Sequence, residues 1–174
     1  MQRQTELKNW LETIYPDETF ELAFAAADAD FRRYFRARFA DKNVICMDAP
    51  PEKMSIAPYL KVQKLFAMVN VPQVYAYNET AGFMALQDLG NAPYLAALTH
   101  DTRPEVQKML LLDAIDTLVE LQKGSQPGTL PEYDHATMLR EINLFPEWFV
   151  AKELGKELNF KQRQKELYAS LAKT

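Results

Sequence analysis

Every stretch with strand patterning in this chain lies before residue 87, and every stretch after residue 91 reads as helix or loop. That segregation constrains the fold more than any other feature. Five short runs read as strands, over residues 20–26, 31–39, 44–47, 74–77 and 82–86. In the second run Phe31, Arg33 and Phe35 fall on one side and Arg32, Tyr34, Arg36 and Arg38 on the other, the period of a strand with two unlike faces. Val44-Ile45-Cys46-Met47 is apolar throughout, as a buried strand is, and Pro50-Pro51 closes it because proline cannot donate to a ladder. A helix precedes the strands over residues 5–15, with Leu7, Trp10, Leu11 and Ile14 at helical spacing and Pro16 as a stop. A second falls between strands three and four, over residues 56–69, with Tyr59, Leu60, Val62, Leu65, Phe66 and Val69 as its apolar set. Strands grouped in one region and helices in the next predict an α+β fold rather than a parallel α/β sheet.

The pattern breaks at Asp88-Leu89-Gly90-Asn91, which marks the expected boundary between a domain of residues 1–90 and one of residues 91–174. Beyond it, residues 93–98 predict a short helix and residues 104–122 a long one, with Thr102 as its cap and Val106, Leu110, Ile115, Leu118 and Leu121 as its apolar positions. Residues 123–131 form a loop. Two helical pieces follow over residues 135–145 and 147–154, separated by Pro146 and closed near Gly155, and then a charged helix over residues 161–172.

Composition excludes several function classes. The 174 residues suffice for one domain, or for one small lobe and part of another. A net charge of −4 and the lack of a basic stripe argue against general nucleic-acid binding. A single cysteine, Cys46, forbids an internal disulfide and a cysteine metal cluster, and reads as a small buried hydrophobe. Two histidines, His100 and His135, argue against a histidine metal site and read as loop or cap residues. The polar start Met1-Gln2-Arg3-Gln4-Thr5-Glu6 is not a signal peptide, and Met109-Leu110-Leu111-Leu112 is too short to cross a bilayer, so a cytoplasmic protein without membrane partners is expected.

Four segments carry a resemblance. Ala26-Ala27-Asp28-Ala29-Asp30-Phe31-Arg32-Arg33-Tyr34-Phe35-Arg36 resembles the first hairpin of the aminoglycoside phosphotransferase superfamily. Met47-Asp48-Ala49-Pro50-Pro51-Glu52-Lys53, Phe83-Met84-Ala85-Leu86-Gln87-Asp88-Leu89-Gly90 and Leu139-Arg140-Glu141-Ile142-Asn143-Leu144-Phe145-Pro146-Glu147-Trp148-Phe149 resemble its branch of amino-sugar kinases, which act on N-acetylmuramate and N-acetylglucosamine. The resemblance implies a protein-kinase-like N-lobe, a five-stranded antiparallel sheet plus a helix, followed by the first helices of an incomplete C-lobe. It implies ATP and Mg2+ as cofactors and an amino sugar as acceptor. It places the nucleotide at Ala27, Asp28, Ala29, Asp30, Phe31, Arg32, Met47, Gln87, Asp88 and Leu89, and the sugar near Glu141 and Trp148.

The departures from the family pattern are specific. A phosphate-covering loop normally uses glycine, where backbone N–H groups approach oxygens closely. Here Ala27-Asp28-Ala29-Asp30 stands instead, and Asp30 brings a negative charge that Arg32 and Arg33 are placed to offset. Met47 stands where strand three of a kinase offers a lysine, with Lys53 and Lys61 as substitutes nearby, and the helix that follows offers no convincing glutamate partner. Val44, Met47 and Phe83 are expected to wall the adenine, and Gly90 to permit the hinge turn. The bland reading of Leu144, Phe145, Trp148 and Phe149 is a helical core row.

The family's His-x-Asp catalytic loop and its later metal-binding Asp are missing. Tyr133-Asp134-His135 has the wrong order, and no Asp follows Asp134. The resemblance therefore covers the N-terminal half of a family member. It implies a phosphotransferase fragment that is inactive alone and exposes apolar surface through which copies self-associate. The alternative is a non-catalytic kinase-like interaction module.

Overall fold

The computed structural model describes residues 2–27, 30–99 and 102–156. Two compact units divide the chain, Met1–Ser125 and Gln126–Thr174. The first opens with helix α1 (Gln2–Ile14), then strands β1 (Glu21–Ala27), β2 (Arg33–Arg38) and β3 (Asn43–Asp48). Helix α2 (Ala57–Leu65) precedes β4 (Val74–Asn78) and β5 (Phe83–Gln87), and helices α3 (Tyr94–Ala97) and α4 (Pro104–Gly124) complete the unit.

The five strands form one antiparallel sheet in the order β1-β2-β3-β5-β4. The α+β class and the kinase-like N-lobe arrangement, with a helix between strands three and four, are thus present. Strand alternation sorts the side chains into two faces. Across the three central strands, Phe35 opposes Cys46 and Cys46 opposes Ala85; Tyr34 opposes Met47 and Met47 opposes Met84. The first row packs under α1, whose Leu7 and Leu11 are fully buried among Phe35, Ala37, Val44, Cys46, Phe83 and Ala85. The second row packs with Ala49, Ile56 and Leu86, with Ile45, Met54, Tyr59 and Leu60 of the α2 side around them.

Gly82 fixes how β4 turns into β5. Its φ is +72°, and a Cβ there would lie 1.9 Å from the Ala49 carbonyl oxygen. The same closeness lets the Ala49 N–H donate to the Gly82 carbonyl at 2.9 Å. No L side chain fits that approach.

Several predicted boundaries shift. The expected helix over residues 56–69 ends at Leu65, where the Phe66 N–H turns back to the Lys64 and Val62 carbonyls. Thr102 does not cap α4: Arg103 is the cap residue and makes no side-chain capping bond, while the Thr102 hydroxyl donates to the Ala97 carbonyl at 2.7 Å. The long helix runs to Gly124 rather than to residue 122.

In the second unit α5 (His135–Leu144) is followed without a break by a π-helical stretch (Phe145–Glu153). Pro146 was expected to separate two helices. It falls inside the continuous helix, at the point where the wider π-helical turns begin. Gly155, at φ +60°, ends the stretch. The expected helix over residues 161–172 lies outside the described residues.

Candidate functional site

The α2-facing side of the sheet holds an open cleft of about 630 Å³, within the range of small-molecule sites. Met47 and Ala49 form its buried floor, Tyr59, Val62 and Phe66 of α2 and its flank its wall, and Val71-Pro72 its far end. Among the described lining residues Arg32 is the charged one.

The hairpin between β1 and β2 sets the charge at this rim. Ala27 ends β1, paired with Arg33. Asp28 and Ala29 lie outside the described residues. Asp30 accepts from the Arg32 backbone N–H at 2.8 Å and from Arg32 Nε at 2.7 Å, and its second ion-pair contact runs to an Arg32 terminal nitrogen at 2.6 Å. That side-chain hydrogen bond, then the backbone one, holds the Asp30 carboxyl below the usual carboxylate range. Phe31 is exposed, with Lys53 Nζ 5.5 Å above its ring; Lys61 is exposed on α2.

Arg33 was expected to share the phosphate with Arg32. The alternation of β2 turns it to the opposite face, where it donates to Asp48 at 2.5 Å. Asp48 is fully buried and is also held by Arg3 of α1, through Nε at 3.0 Å and through a terminal nitrogen. Arg3 further donates to the Ala81 carbonyl at 2.8 Å and lies 4.5 Å above the Phe83 ring. This two-arginine clamp escaped the sequence reading. Part of the signal was available: Asp48 follows Met47, so it points away from the cleft, but the register that sets Arg33 opposite Asp48 comes only from the pairing of β2 with β3.

The adenine wall also needs correction. Val44, Met47 and Phe83 were grouped as one surface, yet Val44 and Phe83 belong to the core beneath α1, with Trp10 5.7 Å from Phe83, and Met47 to the other face. The apolar residues that share the face of Met47 are Ile45, Met84 and Leu86, with Tyr34 beside them.

At the end of β5, Gln87 is bound by strand pairing: its N–H donates to the Gln73 carbonyl at 2.8 Å and its side-chain carbonyl accepts from Gln73 N–H at 3.3 Å. Asp88 is held by Arg36 of β2 through Nε at 2.6 Å and a terminal nitrogen at 3.0 Å, and accepts from Gly90 N–H at 2.9 Å. The Arg36 bond, against some desolvation and with help from Gly90, depresses the Asp88 carboxyl. Leu89 is exposed, and Gly90 takes φ +89°, a conformation that favours glycine.

A magnesium site does not fit the described residues. No three His, Cys, Asp or Glu side chains gather among them, and Asp30, Asp48 and Asp88 each face a guanidinium. An ATP phosphate does fit the cation at the cleft rim. Cys46 is buried and its thiol is pushed up to about 12 by desolvation, so it is an inert core group.

In the second unit, Asp134 is the N-cap of α5, accepting from Thr137 N–H at 2.8 Å, which explains its place beside His135 without chemistry. Glu141 pairs with Arg140 at 3.0 Å. Trp148 is 58% exposed and carries Lys152 Nζ 3.6 Å above its ring. The helical core row expected of Leu144, Phe145, Trp148 and Phe149 is instead exposed; Val150 is the buried member of the stretch. Residues Glu141 and Trp148 sit in the second unit and the other candidates in the first.

A model of the phosphotransferase enzyme family matches residues 21–174. The chain is 67% identical over 165 residues to an N-acetylmuramate/N-acetylglucosamine kinase of Neisseria meningitidis, covering 94% of this chain and 49% of the relative. It is 38% identical to the N-acetylmuramate/N-acetylglucosamine kinase of Pseudomonas aeruginosa, over 90% of this chain and 48% of the relative. It is 40% identical to that of Pseudomonas putida, over 83% and 41%. The chain thus spans about half the length of the curated relatives it matches, or less.

Proposed function

Because the chain belongs to the phosphotransferase enzyme family, we propose that it carries the nucleotide-binding half of an ATP-dependent kinase acting on an N-acetylated amino sugar. The observation that carries this is the 67% identity, over nearly the whole chain, to a kinase of that name. In this reading residues 1–90 form the nucleotide side and residues 91–174 part of the helical lobe, in a cytoplasmic protein.

The face shared by Ile45, Met47 and Leu86 receives the base, and the backbone of Gln87, Asp88 and Leu89 offers its donors and acceptors to the adenine edge. Ala27, Asp28, Ala29, Asp30 and Phe31 cover the phosphates, with Arg32 as the cation. Trp148 offers a ring face to a pyranose, and Glu141 an acceptor for its hydroxyls. Magnesium, when bound, supplies charge neutralisation to the transferring phosphoryl group. The described carboxylates do not provide its ligands, and the chain has no His-x-Asp loop. The chain alone therefore binds nucleotide without transferring phosphate.

Calorimetric titration with ADP and a non-hydrolysable ATP analogue tests this. Binding is expected, with kinase activity restored only on adding a polypeptide that carries the remaining half of a relative. A folded sample that ignores both nucleotides and is not complemented contradicts it.

One observation favours the interaction-module alternative. Leu111, Ile115 and Leu118 form a row on α4, each about half exposed, with Leu112 and Val119 beside it. Self-association through this row predicts a dimer by sedimentation that Leu111→Lys with Leu118→Lys abolishes. No helix among the described residues is long and apolar enough to cross a membrane.

A further inference from the structure

We propose that Asp30 is an internal anion that holds the Arg32 guanidinium at the cleft rim and competes there with the phosphate groups of a nucleotide. The inference rests on the nucleotide reading above and concerns how that site is filled.

The hairpin and β2 present four arginines, and three of them are engaged away from the cleft. Arg33 is turned to the far face by Asp48, Arg36 is locked to Asp88 at the end of β5, and Arg38, at the other end of β2, lies opposite Glu21. Met47 leaves the strand-three position without a cation. Arg32 is the one that lines the cleft whose floor is Met47. Its backbone N–H, its Nε and a terminal nitrogen all converge on one carboxylate two residues away. Those are the donors with which an arginine in a turn grips a phosphate oxygen pair. Asp30 thus stands in for the ligand. Both side chains are about one-third exposed, so the exchange needs no opening of the core. A phosphate with two charges displaces a carboxylate with one, but the carboxylate must first be released, which weakens binding.

The consequence runs against the usual effect of altering a site residue: removing Asp30 should improve binding. Titration of the 174-residue chain with ADP, adenosine and inorganic pyrophosphate separates the terms. Asp30→Asn should tighten ADP and pyrophosphate by about tenfold, the scale of one charge-assisted hydrogen bond, and leave adenosine unchanged. Arg32→Gln should weaken ADP about tenfold or more, and adding Asp30→Asn to it should bring no gain. Circular dichroism confirms the fold of each variant, with Asp30→Ser as a second replacement. Unchanged or weaker ADP binding in both Asp30 variants overturns the proposal while leaving nucleotide binding intact. An equal gain in the presence and absence of Arg32 overturns it as well. If neither wild type nor any variant takes up ADP, the nucleotide reading itself fails.

Discussion

The sheet half and the helical half of this chain are built on different terms. Among the described residues, the buried apolar side chains belong to α1, the sheet, and Ala49 and Ile56 of the segment between β3 and α2, with Val150 as the exception. Helix α4, the longest described, buries none of its residues, and the π-helical stretch leaves Phe145, Trp148 and Phe149 in water. The sheet therefore has its own two-sided core, under α1 on one face and α2 on the other. Helical segments without such a core depend on surfaces beyond themselves for stability. The sheet can be rigid in this chain, while the helical segments cannot be positioned to the same degree by their own packing.

The sharpest way to break this contrast is at Asp48. Asp48→Ala leaves two guanidiniums facing a buried hole and should cost about 4 kcal/mol, read as a shift in the urea midpoint. Leu11→Ala, beneath α1, should cost about 3 kcal/mol by the same measure. An effect below about 1 kcal/mol at either position would show that α1 does not belong to the core.

The Arg36–Asp88 pair offers a milder, pH-dependent test. The Asp88 carboxyl is held low by Arg36, so its contribution is present above the ordinary value near 4 and is lost as pH falls through the lowered folded value. Asp88→Asn should therefore cost about 1 kcal/mol from pH 6 to 8, with the difference from wild type shrinking below about pH 4. A difference that grows on acidification would contradict the pairing. Trp148→Ala, by contrast, should change stability by less than about 0.5 kcal/mol, because the ring is mostly in water. A large loss there would mean that the helical half has a core of its own.

The sheet was legible because alternation is a local property. Arg33 against Arg32, and Cys46 against Met47, declare their faces within two or three residues. Val44 and Met47 lie three positions apart on β3, so alternation alone already sets them on opposite faces; the place of Phe83 was not legible, because it depends on the pairing of β5 with β3. Parity counts positions from an origin, and the origin depends on register, which only the partner strand fixes. Asp48 was overlooked for a related reason: its arginines sit on β2 and on α1, one of them forty-five positions away. Pro146 misled because proline usually ends an α-helix, whereas here the helix continues past it with wider, π-helical turns. The exposed row on α4 has the spacing of a core helix, and spacing alone does not say whether a surface exists to cover it.

The central claim is that a nucleotide lies on the α2-facing side of the sheet. Backbone and methyl NMR of the chain titrated with ADP tests it directly. Shifts confined to Arg32, Tyr34, Ile45, Met47 and Leu86 through Leu89, with Leu7, Leu11, Val44 and Phe83 silent, are the expected result. No saturable shifts, or shifts centred on the α1 face, would contradict the account.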